Sequence, residues 1–170
     1  ENVFIKRWKG KIFEACKSGE TKIVQLLLER CNSEESGLNT KDKYAWTASM
    51  WACFKGHTDV VKLLLEYSGR IELNARSNSG KTAFILACSN GHKDVVQLLL
   101  DHSDRIELNA RANVGETAFT IACKKGHKDV VQLLLDHSER IDLNTRDIYG
   151  STAFMEACLH GHEDVVKLLL

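Results

Sequence analysis

Histidine and cysteine recur together along this chain, at Cys53 and His57, Cys88 and His92, Cys123 and His127, and Cys158 and His162, with an earlier Cys16. Imidazoles can serve as general bases, and clustered Cys and His side chains bind zinc. Gly80-Lys81-Thr82 matches the end of a phosphate-binding P-loop. That motif needs a further glycine five residues earlier, where Ala75 stands, and a strand before it. The His/Cys pairs are 35 residues apart, too far in sequence to form the tight Cys-x-x-Cys spacing of a zinc site. His160 and His162 are close together but have no third ligand in view. No Ser/His/Asp set escapes the periodicity, so the residues point to no enzyme, no metal and no cofactor.

The same period organises everything else. Ala52 to Leu65 returns as Ala87 to Leu100, Ala122 to Leu135 and Ala157 to Leu170, and a worn copy runs from Ala15 to Leu28. A repeat of this length marks a stacked array whose core is a strip. Thr47, Thr82, Thr117 and Thr152 stand where an N-cap of a first helix is needed, with Gly10 in that place in the first unit. Gly19, Gly56, Gly91, Gly126 and Gly161 stop this helix, as glycine can adopt the left-handed conformation. A second helix follows at once, its apolar residues spanning roughly 200° of its circumference. Asp59, Asp94, Asp129 and Asp164 suit the positive end of its dipole. Neither helix reaches the ~12–15 residues of a marginally stable isolated helix, so stacking must hold both. Ile71/Leu73, Ile106/Leu108 and Ile141/Leu143 alternate with polar residues and predict short extended segments leading to turns at Gly80, Gly115 and Gly150.

Composition adds bounds. The 170 residues are 44% hydrophobic, and 23 basic residues balance 23 acidic ones, so net charge alone names no polyanion or membrane partner. No apolar run could span a membrane and no signal-peptide pattern opens the chain. The periodic cysteines follow alanine at helical spacing and read as small buried hydrophobes. Units packed about 8–10 Å apart hold them beyond disulfide reach, and Cys31 reads as a free thiol in a loop. This suits a reducing, cytoplasmic or nuclear setting. Val3, Phe4, Ile5 and Trp8 are placed to cover the open end of the stack, or else belong to a frayed edge. The last helix stops at Leu170 without the continuation its earlier copies have, as if cut from something longer.

Residues Asp147-x-x-Gly150-x-Thr152-Ala-Phe-Met-x-Ala157-Cys-x-x-Gly161-His162-x-Asp-Val-Val-x-Leu-Leu-Leu170, with Leu143-Asn144 before them, resemble an ankyrin repeat. The resemblance covers about residues 9–170 in five units, near 9–39, 40–74, 75–109, 110–144 and 145–170, within one domain over 1–170. It implies an all-α solenoid of stacked helix pairs with β-turn fingers, and a role in binding other proteins. The family's Thr-Pro-Leu-His is altered here. Met50, Ile85, Thr120 and Met155 replace its histidine, which predicts a greasier seam with fewer hydrogen bonds. Ala45 replaces a finger glycine and predicts a distorted turn. The resemblance also implies possible hydroxylation at Asn74, Asn109 or Asn144, although an asparagine bonding backbone in the turn explains those residues as well.

Positions constant across units serve the scaffold, and those that vary are free for recognition. The variable ones fall in the fingers and at the end of the first helix, which line the concave face in the ankyrin resemblance. They include Lys41, Lys43, Tyr44, Trp46, Phe54, Lys55, Arg76, Lys81, Asn90, Arg111, Glu116, Lys124, Lys125, Arg146, Tyr149 and His160. Nine of these are basic and one is acidic, while the acids gather elsewhere, which predicts a basic inner face that steers an acidic partner. Tyr44, Trp46 and Phe54 beside lysines have the make-up of interface hot spots, unless Trp46 and Phe54 fold back over the turn at Ala45. Trp51 shares a position with Leu86 and Ile121 and is expected in the core. The leading expectation is a monomeric protein-interaction module that holds an acidic, partly extended segment of another protein. Nucleotide or single-stranded nucleic-acid binding on the aromatic and basic patch is the alternative, and a targeting arm of a larger enzyme or channel is a third reading.

Overall fold

The computed structural model describes residues 3–30, 38–67 and 69–170, with side chains from residue 10 onward. Among the described residues there are ten helices and no strand. They form five pairs: α1 (Val3–Ser18) with α2 (Thr21–Arg30), α3 (Ala48–Lys55) with α4 (Thr58–Glu66), and α5 (Ala83–Ser89) with α6 (Lys93–Asp101). The last two are α7 (Ala118–Lys125) with α8 (Lys128–Leu135), and α9 (Ala153–Leu159) with α10 (Glu163–Leu169). The odd-numbered helices pack on one another in one row and the even-numbered helices in a second, the all-α stacking that the resemblance implies.

Local chemistry sets each boundary. The hydroxyls of Thr47, Thr82, Thr117 and Thr152 accept from the backbone N–H three residues on, which satisfies one free donor per helix start. The following glycines close the first helices with φ between 70° and 76°. Gly10 departs from expectation. It lies inside α1, which begins seven residues earlier because no finger turn or proline interrupts the preceding residues. The side chains of Val3, Phe4, Ile5 and Trp8 lie outside the described side chains, and Cys31 outside the described residues.

The periodic histidines are joints. Nε2 of His57, His92, His127 and His162 donates to the carbonyls of Lys17 (3.0 Å), Phe54 (2.8 Å), Ser89 (3.0 Å) and Lys124 (2.9 Å) in the preceding pair. Asparagines make a second row of joints. Asn39, Asn74 and Asn109 each donate to a carbonyl of the next pair's linker, at Arg70, Arg105 and Arg140, and accept from the N–H of Glu72, Glu107 and Asp142. These linkers are therefore turns and not the extended segments expected; Ile71, Ile106 and Ile141 are buried as their alternation suggested. Each finger donates one backbone bond to the finger before it, Asn78 to Tyr44, Asn113 to Ser79 and Ile148 to Val114, which is too few to make a strand ladder.

The seam between helix rows is apolar at Met50 and Ile85, both fully buried. Two positions depart from the expected greasiness. Thr120 forms a reciprocal capping box with Thr117, so that unit keeps its polar seam inside a single helix. Met155 is half exposed because no further helix pair covers α9 in this structure.

Cys16, Cys53, Cys88 and Cys123 are buried, and Cys158 is exposed. Burial raises the thiols of Cys16, Cys53 and Cys123 from the ordinary 9.0 to about 12, and that of Cys88 in the same direction; the neighbouring thiol adds to the effect at Cys53 and Cys88. In the unfolded chain they ionise near 9. Their contribution to stability is therefore complete below pH 9 and lost as pH rises toward 12. Native alkylation followed by mass mapping is expected to label Cys158 and to leave these four untouched until urea unfolds the chain. Labelling of the four at the rate of Cys158 would contradict their burial.

Candidate functional site

The distinctive surface chemistry lies where the finger of the second unit, residues 42–46, meets α3. Asp42 builds this turn. Its Oδ1 accepts from the N–H of Tyr44 (2.8 Å) and of Trp46 (2.9 Å), and its Oδ2 from Nε1 of Trp51 (3.1 Å). Ala45 takes φ 58°, so the turn keeps its glycine-like form without glycine and is not distorted. The carboxylate bonds offset part of that left-handed strain. Asp147 repeats the arrangement in the last finger, accepting from Tyr149 and Ser151.

Trp51 is not the core residue expected from its neighbours in the repeat. Leu86 and Ile121 are buried, but Trp51 is only half-buried, because its indole N–H must reach Asp42 at the finger. It joins Trp46 and Phe54 in a cluster with ring centroids 4.6, 5.0 and 5.9 Å apart, tilted or edge-to-face. Trp46 and Phe54 are half-buried and pack on the core, while Tyr44 projects outward with half of its surface exposed.

Three ammonium groups sit over these rings. Lys17 lies 4.9 Å from the Trp51 centroid, Lys43 4.9 Å from that of Tyr44 and Lys55 5.4 Å from that of Phe54. No carboxylate among the described residues pairs with any of the three. A cation over a ring face keeps its N–H donors and its charge available on the open side.

The remaining expected residues are placed differently. Arg76 donates to the Arg111 carbonyl at 2.8 Å and pairs with Glu107 at 3.2 Å, Arg111 donates to the Arg146 carbonyl, and Arg146 to that of Gly150 at 2.8 Å. Arg76 and Arg111 brace successive fingers, and Arg146 braces its own. Their recurrence every 35 residues was the signal that they belong with the constant positions. Asn90 is committed to the Leu86 carbonyl (2.8 Å). Lys81 is half-buried, Lys125 exposed, and Tyr149 the most exposed aromatic side chain of the fingers.

Lys124 is held between Glu116 at 2.8 Å and Glu156 at 3.5 Å, and its ammonium is stabilised above the ordinary lysine range chiefly by the hydrogen bond it donates to Glu116. His160 donates from Nδ1 to the backbone carbonyl of Glu156 at 3.0 Å. Of the asparagines, Asn74 and Asn109 make the joints described above, and Asn144 is exposed, its N–H donating to Asp142. Sequence reasoning passed over Lys17, Asp42 and Glu156. Glu156 was visible as a charge at a position held by Trp51, Leu86 and Ile121 in the three preceding units, with Glu14 there in the first.

Among the described residues no group of three His, Cys, Asp or Glu side chains is placed to hold a metal ion, and no helix is long and apolar enough to cross a membrane. A family profile described as ankyrin repeats (3 copies) matches residues 12–112 and again residues 105–170. No curated protein matches the chain.

Proposed function

The chain belongs to the ankyrin-repeat family, whose members are protein–protein interaction modules, and from that premise we propose that its finger face holds an acidic, partly extended segment of another protein. One observation carries the proposal: three lysines with no carboxylate partner among the described residues stand over the rings of Trp51, Tyr44 and Phe54. Carboxylates of a partner gain charge-assisted hydrogen bonds there, and apolar side chains between them gain the exposed ring of Tyr44. The pre-built aromatic cluster spares the partner part of the ordering cost of binding. Basic residues already bonded within the array, Lys124 and the three arginines, contribute field more than contact. The acid-binding end is thus the first and second helix pairs, narrower than the whole row of fingers.

The test uses a fluorescent peptide of alternating glutamate and leucine. Lys43→Glu with Lys55→Glu is expected to weaken binding about tenfold, equivalent to two partly exposed ion pairs, and to flatten its salt dependence. Lys62→Glu, exposed on the even-numbered row, is the control expected to change nothing. Equal affinity and equal salt dependence in all three proteins would sink the reading.

A second reading, single-stranded nucleic-acid binding, draws on Tyr44 alone, an exposed ring with an ammonium beside it. Trp51 and Phe54 suit it less, since both are half-buried and pack edge-to-face on each other. Retardation of a single-stranded oligonucleotide at moderate salt would favour this reading over the peptide one.

A further inference from the structure

Between the fourth and fifth helix pairs the charge balance of the finger face reverses. Glu116 and Glu156 converge on the single ammonium of Lys124, which leaves one negative charge uncompensated within the trio. Glu156 is more than nine-tenths buried, and its Oε2 has no hydrogen-bond partner; Lys124 Nζ stands 3.5 Å from it and the ring nitrogen Nδ1 of His160 3.8 Å. The Nδ1 hydrogen of His160 is already given to the Glu156 backbone carbonyl. A buried carboxylate oxygen without a donor costs stability unless something outside supplies one. The trio is also local to this pair: the equivalent of Glu156 is Trp51, Leu86 or Ile121 in the middle units, and Glu14 in the first has no preceding finger carboxylate to converge with.

We propose that this notch receives one arginine side chain of the bound segment, its guanidinium donating to Glu156 with Glu116 and Lys124 forming the wall. Guanidinium fits better than ammonium, because its planar fork offers several N–H groups to two convergent carboxylates and is less tightly hydrated. The half-exposed His160 ring turns aside to admit it. The proposal rests on the finger face being the binding surface, and it gives the partner a polarity. Three helix-pair spacings of about 8–10 Å separate α3 from α9. An extended chain covers that distance in about eight residues at ~3.3–3.6 Å each. The partner segment therefore carries acidic residues at one end and an arginine about eight positions away.

The experiment titrates N-acetyl-arginine amide into the isotope-labelled protein and follows backbone amide shifts, with N-acetyl-citrulline amide as the uncharged match. Shifts are expected at Glu116, Lys124 and Glu156, with citrulline binding about fivefold more weakly, the scale of a partly exposed ion pair. Glu156→Gln keeps the shape and is expected to abolish the preference. Lys124→Met removes the competing ammonium and is expected to strengthen arginine binding. The same spectra report whether each variant is folded. No shifts at the notch, equal binding of the two compounds, or a preference surviving in Glu156→Gln would each overturn the proposal. No acidic peptide is present in this titration, so its failure leaves the lysine–aromatic reading untouched, and the converse also holds.

Discussion

Gly91→Ala is expected to destabilise the array by about 2–4 kcal/mol, whereas Gly161→Ala, at a position with nearly the same backbone, is expected to cost only about 1–2 kcal/mol. Both glycines are left-handed, with φ 72° and 70°, so the conformational strain of adding a methyl group is shared. What differs is the neighbour. A Cβ on Gly91 would lie 2.7 Å from Nδ1 of His127, while nothing stands within 4 Å of one on Gly161. Relieving that overlap moves the imidazole away from the Ser89 carbonyl it reaches at 3.0 Å, so one joint between helix pairs is lost along with the strain. Urea denaturation of both single variants, of His127→Ala and of the Gly91→Ala/His127→Ala pair measures this directly. A coupling of about 1–2 kcal/mol is expected between Gly91 and His127. Equal costs at the two glycines, or additive effects in the pair, would show that the histidine does not bear on the glycine.

The second large effect is Phe84→Ala, expected to cost about 3–5 kcal/mol, against roughly 1 kcal/mol for Phe154→Ala. Phe84, Phe119 and Phe154 hold the same place in successive units and follow the same threonine–alanine pair. Phe84 is 1% exposed and Phe119 2%, because α5 and α7 each have a helix on both sides. Phe154 is 39% exposed on α9. Truncation at Phe84 opens a cavity in the middle of the strip. Because each pair is stabilised mainly by its neighbours, that loss is also expected to broaden the urea transition as the two halves separate. Comparable costs at Phe84 and Phe154 would contradict the claim that neighbouring pairs bury this position.

These contrasts show how the residues divide between what could be read in the chain and what could not. The ladder was legible because it repeats. Thr82 caps its helix as Thr47 does, Gly91 closes its helix as Gly56 does, and His127 bonds backwards as His92 does; four copies of one pattern leave little room for another fold. The same periodicity holds the key to the arginines. Arg76, Arg111 and Arg146 belong among the constant residues by their spacing, and the finger-to-finger bonds of Arg76 and Arg111 agree.

Single departures from the pattern were harder to read, because the sequence alone shows that a residue is unusual but not which neighbour answers it. Trp51 stands in a core position, and only the position of Asp42 across the finger turns its indole outward. Lys124 and Lys125 are adjacent and identical in type; one falls between two carboxylates from different helix pairs, and the other faces solvent. Spacing in sequence thus determined the helices, their caps and the joints between units, since those interactions are local or repeat at a constant offset. The charge available on the finger face was decided by tertiary structure alone, because it depends on distances of 3–4 Å between side chains that the chain brings together only when its pairs stack.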